Sequence, residues 1–291
     1  MKKTMTFLLI VALVFTMPFT SKATNVDSEE YIELQEGSVY MSATDKRAFA
    51  EEKDALYEAT HSSGKIVSES KETIDRLMAD VTFATGDKRE NLLQELEKYG
   101  VYLYNDNNNT AQPRSDSSGV TLNAPNVFYS SSANTWTVSH SGSWKNNSWL
   151  EQTASGNVGG PDAFGVAYTN TSNYATYVVG ASAYITDRNS DTYKTTSNRS
   201  DGDGSRGFGF RLQDYYAGSY TYIGYRWYGS CTYNSNFANF SGVATAYYMH
   251  TWSSTSINSI SFTGGTSGVG ITATFSGDNR YFSAYSSDTP F

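Results

Sequence analysis

Val269-Gly270-Ile271-Thr272-Ala273-Thr274-Phe275-Ser276 alternates apolar and polar residues without a break. A period of two is that of a strand with one face buried and the other wet. Ser276-Gly277-Asp278-Asn279 then supplies a turn, and Tyr281–Tyr285 supplies a second strand. The pair reads as an antiparallel hairpin. Upstream, further short runs suited to strands cover 126–130, 134–140, 162–169, 174–186, 206–214, 220–233, 242–252 and 257–263. Gly, Asn and Ser separate them, and no helical pattern intervenes. Many short strands with such turns predict an antiparallel β-sandwich or jelly-roll-like domain over residues 121–291. No fixed-period repeat points to a propeller or solenoid.

The composition changes near residues 105–120. Before that stretch, charged residues stand at helical spacing; after it, Lys and Glu almost vanish. Three helices are expected. The first covers 45–60, with Phe49, Leu56 and Tyr57 near one face. The second runs from Glu69 to Thr82, with Ile74, Leu77, Met78 and Val81 at i, i+3, i+4 and i+7. The third begins at Asp87, carries Leu92, Leu93 and Leu96, and stops at Gly100. Residues 24–104 therefore read as a charged α-helical segment, a propeptide or a docking module. Asn105 to Val120 is polar and reads as a flexible linker, open to proteases.

The extreme N-terminus reads as a signal peptide over residues 1–23. Lys2 and Lys3 precede an apolar run from Phe7 to Phe15, and Ser21-Lys22-Ala23 offers a cleavage site. The run is shorter than the roughly 20 residues needed to span a bilayer. The expected product is a secreted, extracellular protein with a leader of bacterial type. Cys231 is the single cysteine, so no intramolecular disulfide forms and the core must hold the fold.

The formal net charge of −8 is uneven. Residues 24–112 hold 19 acidic and 9 basic residues, and residues 113–291 hold 10 and 9. An acidic chain without a basic stripe argues against nucleic acid and against charge-driven binding to anionic membranes.

Aromatic residues are the main functional signal. All five Trp lie in the β domain: Trp136, Trp144, Trp149, Trp227 and Trp252. If 220–233 is one strand or a bent pair, Ile223, Tyr225, Trp227 and Cys231 share one face. Tyr220, Tyr222, Arg226 and Tyr228 share the other. The second set predicts an exposed ligand-binding face of three phenols around a guanidinium, suited to a sugar or peptide. Two acidic turns, Asp187-Arg188-Asn189-Ser190-Asp191 and Asp201-Gly202-Asp203-Gly204-Ser205, offer hard oxygen ligands. Calcium is the cofactor such loops would take, outside the EF-hand pattern.

Catalytic patterns are sparse. Cys231 falls on the face that reads as core, and His140 and His250 have no metal-ligand spacing. Glu151, with Asp162 or Asp214 as partner, is a candidate carboxylate pair for glycoside cleavage. The sequence thus predicts a secreted non-enzymatic binding module for an extracellular glycan or cell-surface partner. The alternatives are a secreted pore-forming toxin, which alone entails membrane contact, and a glycoside hydrolase.

Overall fold

The computed structural model describes residues 28–32, 43–61, 69–105, 119–145, 148–150, 155–169, 171, 177–190, 193–218, 220–265, 268–278 and 280–291. The expected leader lies outside the described residues. Strands are numbered β1 to β18 along the chain. The largest sheet runs β2 (Val101–Leu103), β4 (Asn126–Ser130), β5 (Thr135–Trp144), β13 (Arg226–Asn234), β8 (Val178–Thr186) and β9 (Tyr193–Thr196), with β3 (Val120–Leu122) beside β5. A second sheet runs β10 (Gly207–Leu212), β7 (Asp162–Thr169), β14 (Val243–Thr251) and β17 (Tyr281–Tyr285), with β18 (Thr289–Pro290) beside β14. Two three-stranded sheets complete the fold. One is β1 (Ser28–Ile32), β16 (Gly268–Ser276) and β15 (Ser256–Gly265); the other is β12 (Tyr222–Ile223), β11 (Tyr215–Ala217) and β6 (Ser155–Asn157). All of these pairings are antiparallel. The expected mostly β sandwich, with a helical N-terminal segment, is what forms.

The layers follow from side-chain parity. Trp136, Val138, Trp227, Cys231 and Tyr233 leave the inner face of the first sheet. They meet Phe164, Val166, Tyr168, Phe208, Phe210 and Tyr248 from the second. Trp227 stacks on Tyr248 with ring centres 3.8 Å apart. The opposite face of the second sheet carries Ala163, Ala167, Tyr247 and Met249, and Ile257, Ile260, Phe262, Ile271, Ala273 and Phe275 of β15 and β16 cover it. Strands β7 and β14 are consequently buried on both sides along their length. In β16, Ile271, Ala273 and Phe275 are the buried set, the alternation that its sequence predicts.

The helices are α1 (Ala43–His61), α2 (Lys71–Phe83) and α3 (Gly86–Lys98), each within a few residues of its expected span. Ser70 caps α2, its hydroxyl accepting from the Thr73 amide at 3.1 Å. The helical segment docks on the β domain. Phe49 of α1 packs against Trp136, and Asp54 accepts a hydrogen bond from the Tyr129 hydroxyl at 2.9 Å. Met78, Val81, Leu96, Val101 and Phe128 form an apolar cluster joining α2 and α3 to β2 and β4. Each such side chain contributes about 1.5–3 kcal/mol by leaving water.

The ends of the expected linker belong to the fold. Asn105 is buried, and its side-chain oxygen accepts from the Val127 amide at 2.6 Å. Val120 pairs with Trp144. Residues 106–118 lie outside the described residues.

Candidate binding face

The outer face of the seven-stranded sheet carries two chemistries: Leu103 and Phe128 make it apolar over β2 and β4, where α2 and α3 dock, and over β5, β13 and β8 it is polar. Four cross-strand rows run over β5, β13 and β8. They are Ser143–Arg226–Thr186, Ser141–Tyr228–Tyr184, Ser139–Ser230–Ser182 and Thr137–Thr232–Gly180. Hydroxyls, two phenols and one guanidinium make up nearly all of these rows. Tyr184 and Tyr228 stack with centres 5.2 Å apart, and the Thr137 and Thr232 hydroxyls bond at 3.1 Å.

Helix α2 lies over this face. Lys71 comes closest to Gly180, where an added Cβ would stand 3.6 Å from its Cε. Arg226 sits over the Phe83 ring at 5.5 Å and donates to the Ser190 hydroxyl at 3.1 Å. Between α2 and the β8–β9 edge a groove of about 770 Å³ remains open, lined by Ser182, Tyr184, Thr186, Thr195 and Arg226 from the sheet. Asp75 and Asp80 line it from α2. Burial holds the Asp80 carboxyl above the usual carboxylate range, against the pull of Lys88, Arg76 and Arg226.

The expected aromatic face is divided by the structure. Arg226 and Tyr228 do share one face, two residues apart on β13. Tyr222 does not join them: it belongs to β12, in a different sheet, and is buried. Tyr220 stands alone, 65% exposed, with φ +64°. The cause is Gly224. At φ +133° it turns the chain between β12 and β13, where a Cβ would meet the Asp214 Cβ at 2.8 Å. Tyr228 is also fully buried rather than exposed, because α2 covers it. Strand parity alone pointed to none of Ser182, Tyr184 or Thr186, although the same period of two in β8 places them beside Arg226, Tyr228 and Ser230.

The acidic turns hold protein partners. Asp201 accepts from Arg211 Nε at 3.0 Å and from the Ile260 amide at 3.0 Å. Asp203 accepts from the Ser205 amide and hydroxyl, both at 2.8 Å. Those bonds hold the Asp203 carboxyl below the usual range despite its burial. Asp187 is buried, with Asn189 exposed beside it, and Asp191 lies outside the described residues. Calcium at the second turn would have to displace Arg211 and the Ser205 amide.

Asp162 and Asp214 meet each other in the core, together with His250; Glu151 lies outside the described residues. The His250 Nδ1 bonds the two Asp162 oxygens at 2.8 and 3.0 Å and stands 3.7 Å from Asp214 Oδ2. Tyr248 donates to Asp162 at 2.7 Å, and Tyr222 donates to Asp214 at 2.6 Å. Burial, then the neighbouring Asp162, push the Asp214 carboxyl well above the usual range. Trp144, Trp149 and Trp252 box the imidazole, with ring centres at 5.1, 5.4 and 4.5 Å. Asp162, Asp214 and His250 are 2%, 0% and 0% exposed. The cluster ties β7, β14 and the 213–214 segment together from inside. Cys231 is buried likewise, and burial pushes its thiol up to about 12, which suppresses the thiolate needed for nucleophilic attack.

No known protein family, curated protein or solved structure matches the chain. Its function rests on its own chemistry.

Proposed function

We propose that the protein is a secreted, non-enzymatic binding module that takes an extended neutral glycan along the outer face of its seven-stranded sheet. The observation that supports this reading is the set of four hydroxyl-bearing rows over β5, β13 and β8. Each hydroxyl donates one hydrogen bond and accepts others, which suits the mixed donors and acceptors of a sugar ring. The stacked Tyr184 and Tyr228 add flat apolar surface with polar tips. Arg226 supplies a directed donor fork. The groove beside α2 is within the usual size range for a ligand site. Export is supported by the basic, apolar and small-residue order of residues 1–23. No helix among the described residues is long and apolar enough to cross a membrane.

Retention on insoluble neutral glycans tests the reading. The wild-type protein should be retained. Tyr184→Ala with Arg226→Ala should weaken retention at least tenfold, on the order of what losing one aromatic and one guanidinium contact removes. Absence of retention, with dye release from liposomes, would favour the membrane-acting alternative. A glycoside hydrolase draws its support from the meeting of Asp162 and Asp214, and release of reducing ends would favour it. Against it stands the enclosure of both carboxyls.

A further inference from the structure

The hydroxyl-bearing face is an unusual seat for a permanent helix. Packed layers ordinarily join apolar faces, yet α2 covers Ser139, Ser141, Tyr228 and Ser230, each no more than 1% exposed. The seam is poorly satisfied. The Ser139 and Tyr228 hydroxyls are buried without a hydrogen-bond partner. Burial raises the Tyr228 pKa well above its usual value; Ser230 and Ser139 stand near enough to work against that rise, but neither reaches the hydroxyl in good bonding geometry. Buried polar groups left unpaired weigh against the closed arrangement.

The helix is held along its other edge. Met78 and Val81 enter the apolar cluster with Leu96, Val101 and Phe128, at the β2–β4 side of the sheet. Over the central strands α2 presents Lys71 and Asp75, paired to each other at 2.7 Å, and at its end the Phe83 ring beneath Arg226. The docking of α1 has its own weak point. Lys46 is buried with no hydrogen-bond partner for its ammonium, which stands over the Phe237 and Phe291 rings at 5.8 and 5.3 Å.

We infer that α2 is an intramolecular occupant of the binding face, and that the glycan gains the central rows only when α1, α2 and α3 lift away together. This deepens the binding reading proposed above and rests on it. The groove at the β8–β9 edge is the part left open in the covered form. Displacing α2 adds Tyr228, Ser230, Ser139 and Ser141 to the contact surface. A ligand that needs all four rows binds with an affinity reduced by the fraction of molecules that are uncovered.

Two substitutions in the full chain test the inference from opposite sides. Val81→Glu places a carboxylate in the apolar anchor and loosens α2. Lys46→Met removes the unpartnered ammonium and tightens α1. Affinity for soluble gluco-, xylo- and manno-oligosaccharides is read by calorimetry, and amide exchange in β13 and β14 reports the integrity of the sandwich. Val81→Glu should raise affinity on the order of tenfold or more, with β13 and β14 still protected, and Lys46→Met should lower it. Wild-type binding that neither substitution changes overturns the cover and confines the ligand to the open groove at the β8–β9 edge. If Val81→Glu loses protection in β13 and β14, unchanged affinity in Lys46→Met overturns it instead. If no form binds any of the sugars, the binding reading itself fails.

Discussion

His140 should make the protein acid-labile in a way that a single substitution removes. Its ring is fully buried in β5, near Phe164 and Phe208, with centres at 5.8 and 6.3 Å. Neither ring nitrogen has a partner. Burial alone lowers its pKa from 6.5 to about 3. The unfolded chain takes up a proton near pH 6.5, and the folded chain resists until about pH 3. Between those values the unfolded state binds more protons, so stability falls as pH falls. At pH 4 the gap is 2.5 pH units, or about 3 kcal/mol at 1.36 kcal/mol per unit. His140→Leu keeps a comparable volume and removes the titration. Urea unfolding of both forms at pH 7 and pH 4 isolates the effect, because every other titration is shared. The wild type should lose about 3 kcal/mol more than the variant over that range. The variant should also be the more stable at pH 7, since it no longer buries two unpaired nitrogens. Equal acid losses in the two proteins would refute the reasoning.

Lys46 titrates with a complementary signature. Burial lowers its pKa from 10.5 to about 7, against the opposing pull of Asp45. Stability should therefore rise with pH between 7 and 10.5, and Lys46→Met should flatten that rise and lift the urea midpoint at pH 7. Gly142→Ala drives a Cβ into the Trp227 ring and to 2.8 Å from the Thr121 carbonyl, so it should cost about 1–3 kcal/mol in urea unfolding. Tyr222→Phe deprives the buried Asp214 carboxyl of its 2.6 Å donor and should cost about 1–3 kcal/mol. Calorimetric melting would show that loss directly.

The strands were readable where they alternate, but their pairing was not: the hairpin expected of 269–276 with 281–285 does not form, because β16 pairs with β15 and β1 while β17 pairs with β14 in another sheet. β4 and β7 occupy Asn126–Ser130 and Asp162–Thr169, the spans that their composition predicts, and β16 keeps the alternation of its sequence. Short strands such as β6 and β11 carry three residues each, too few for a period to show. Parity placed Arg226 with Tyr228 and Trp227 with Cys231, because a period of two survives along β13. It failed across Gly224, where one positive φ ends the period and sends Tyr222 into another sheet. Exposure is not legible in the same way. A polar strand face looks the same in sequence whether water or a helix lies over it, so the burial of Tyr228 beneath α2 left no trace. The meeting of Asp162, Asp214 and His250 was also hidden, since β14 brings His250 back 88 positions after Asp162. Only the sheet order joins them.

Ligand bound on the outer face of β5, β13 and β8 leaves its own footprint in backbone amide exchange. Amide hydrogen exchange with and without a retained oligosaccharide tests it most directly. New protection is expected in β8, β9 and β13, together with faster exchange in α2 as the helix gives way. Protection confined to Tyr220, β11 and β12, or to β15 and β16, with α2 unchanged, would place the ligand elsewhere.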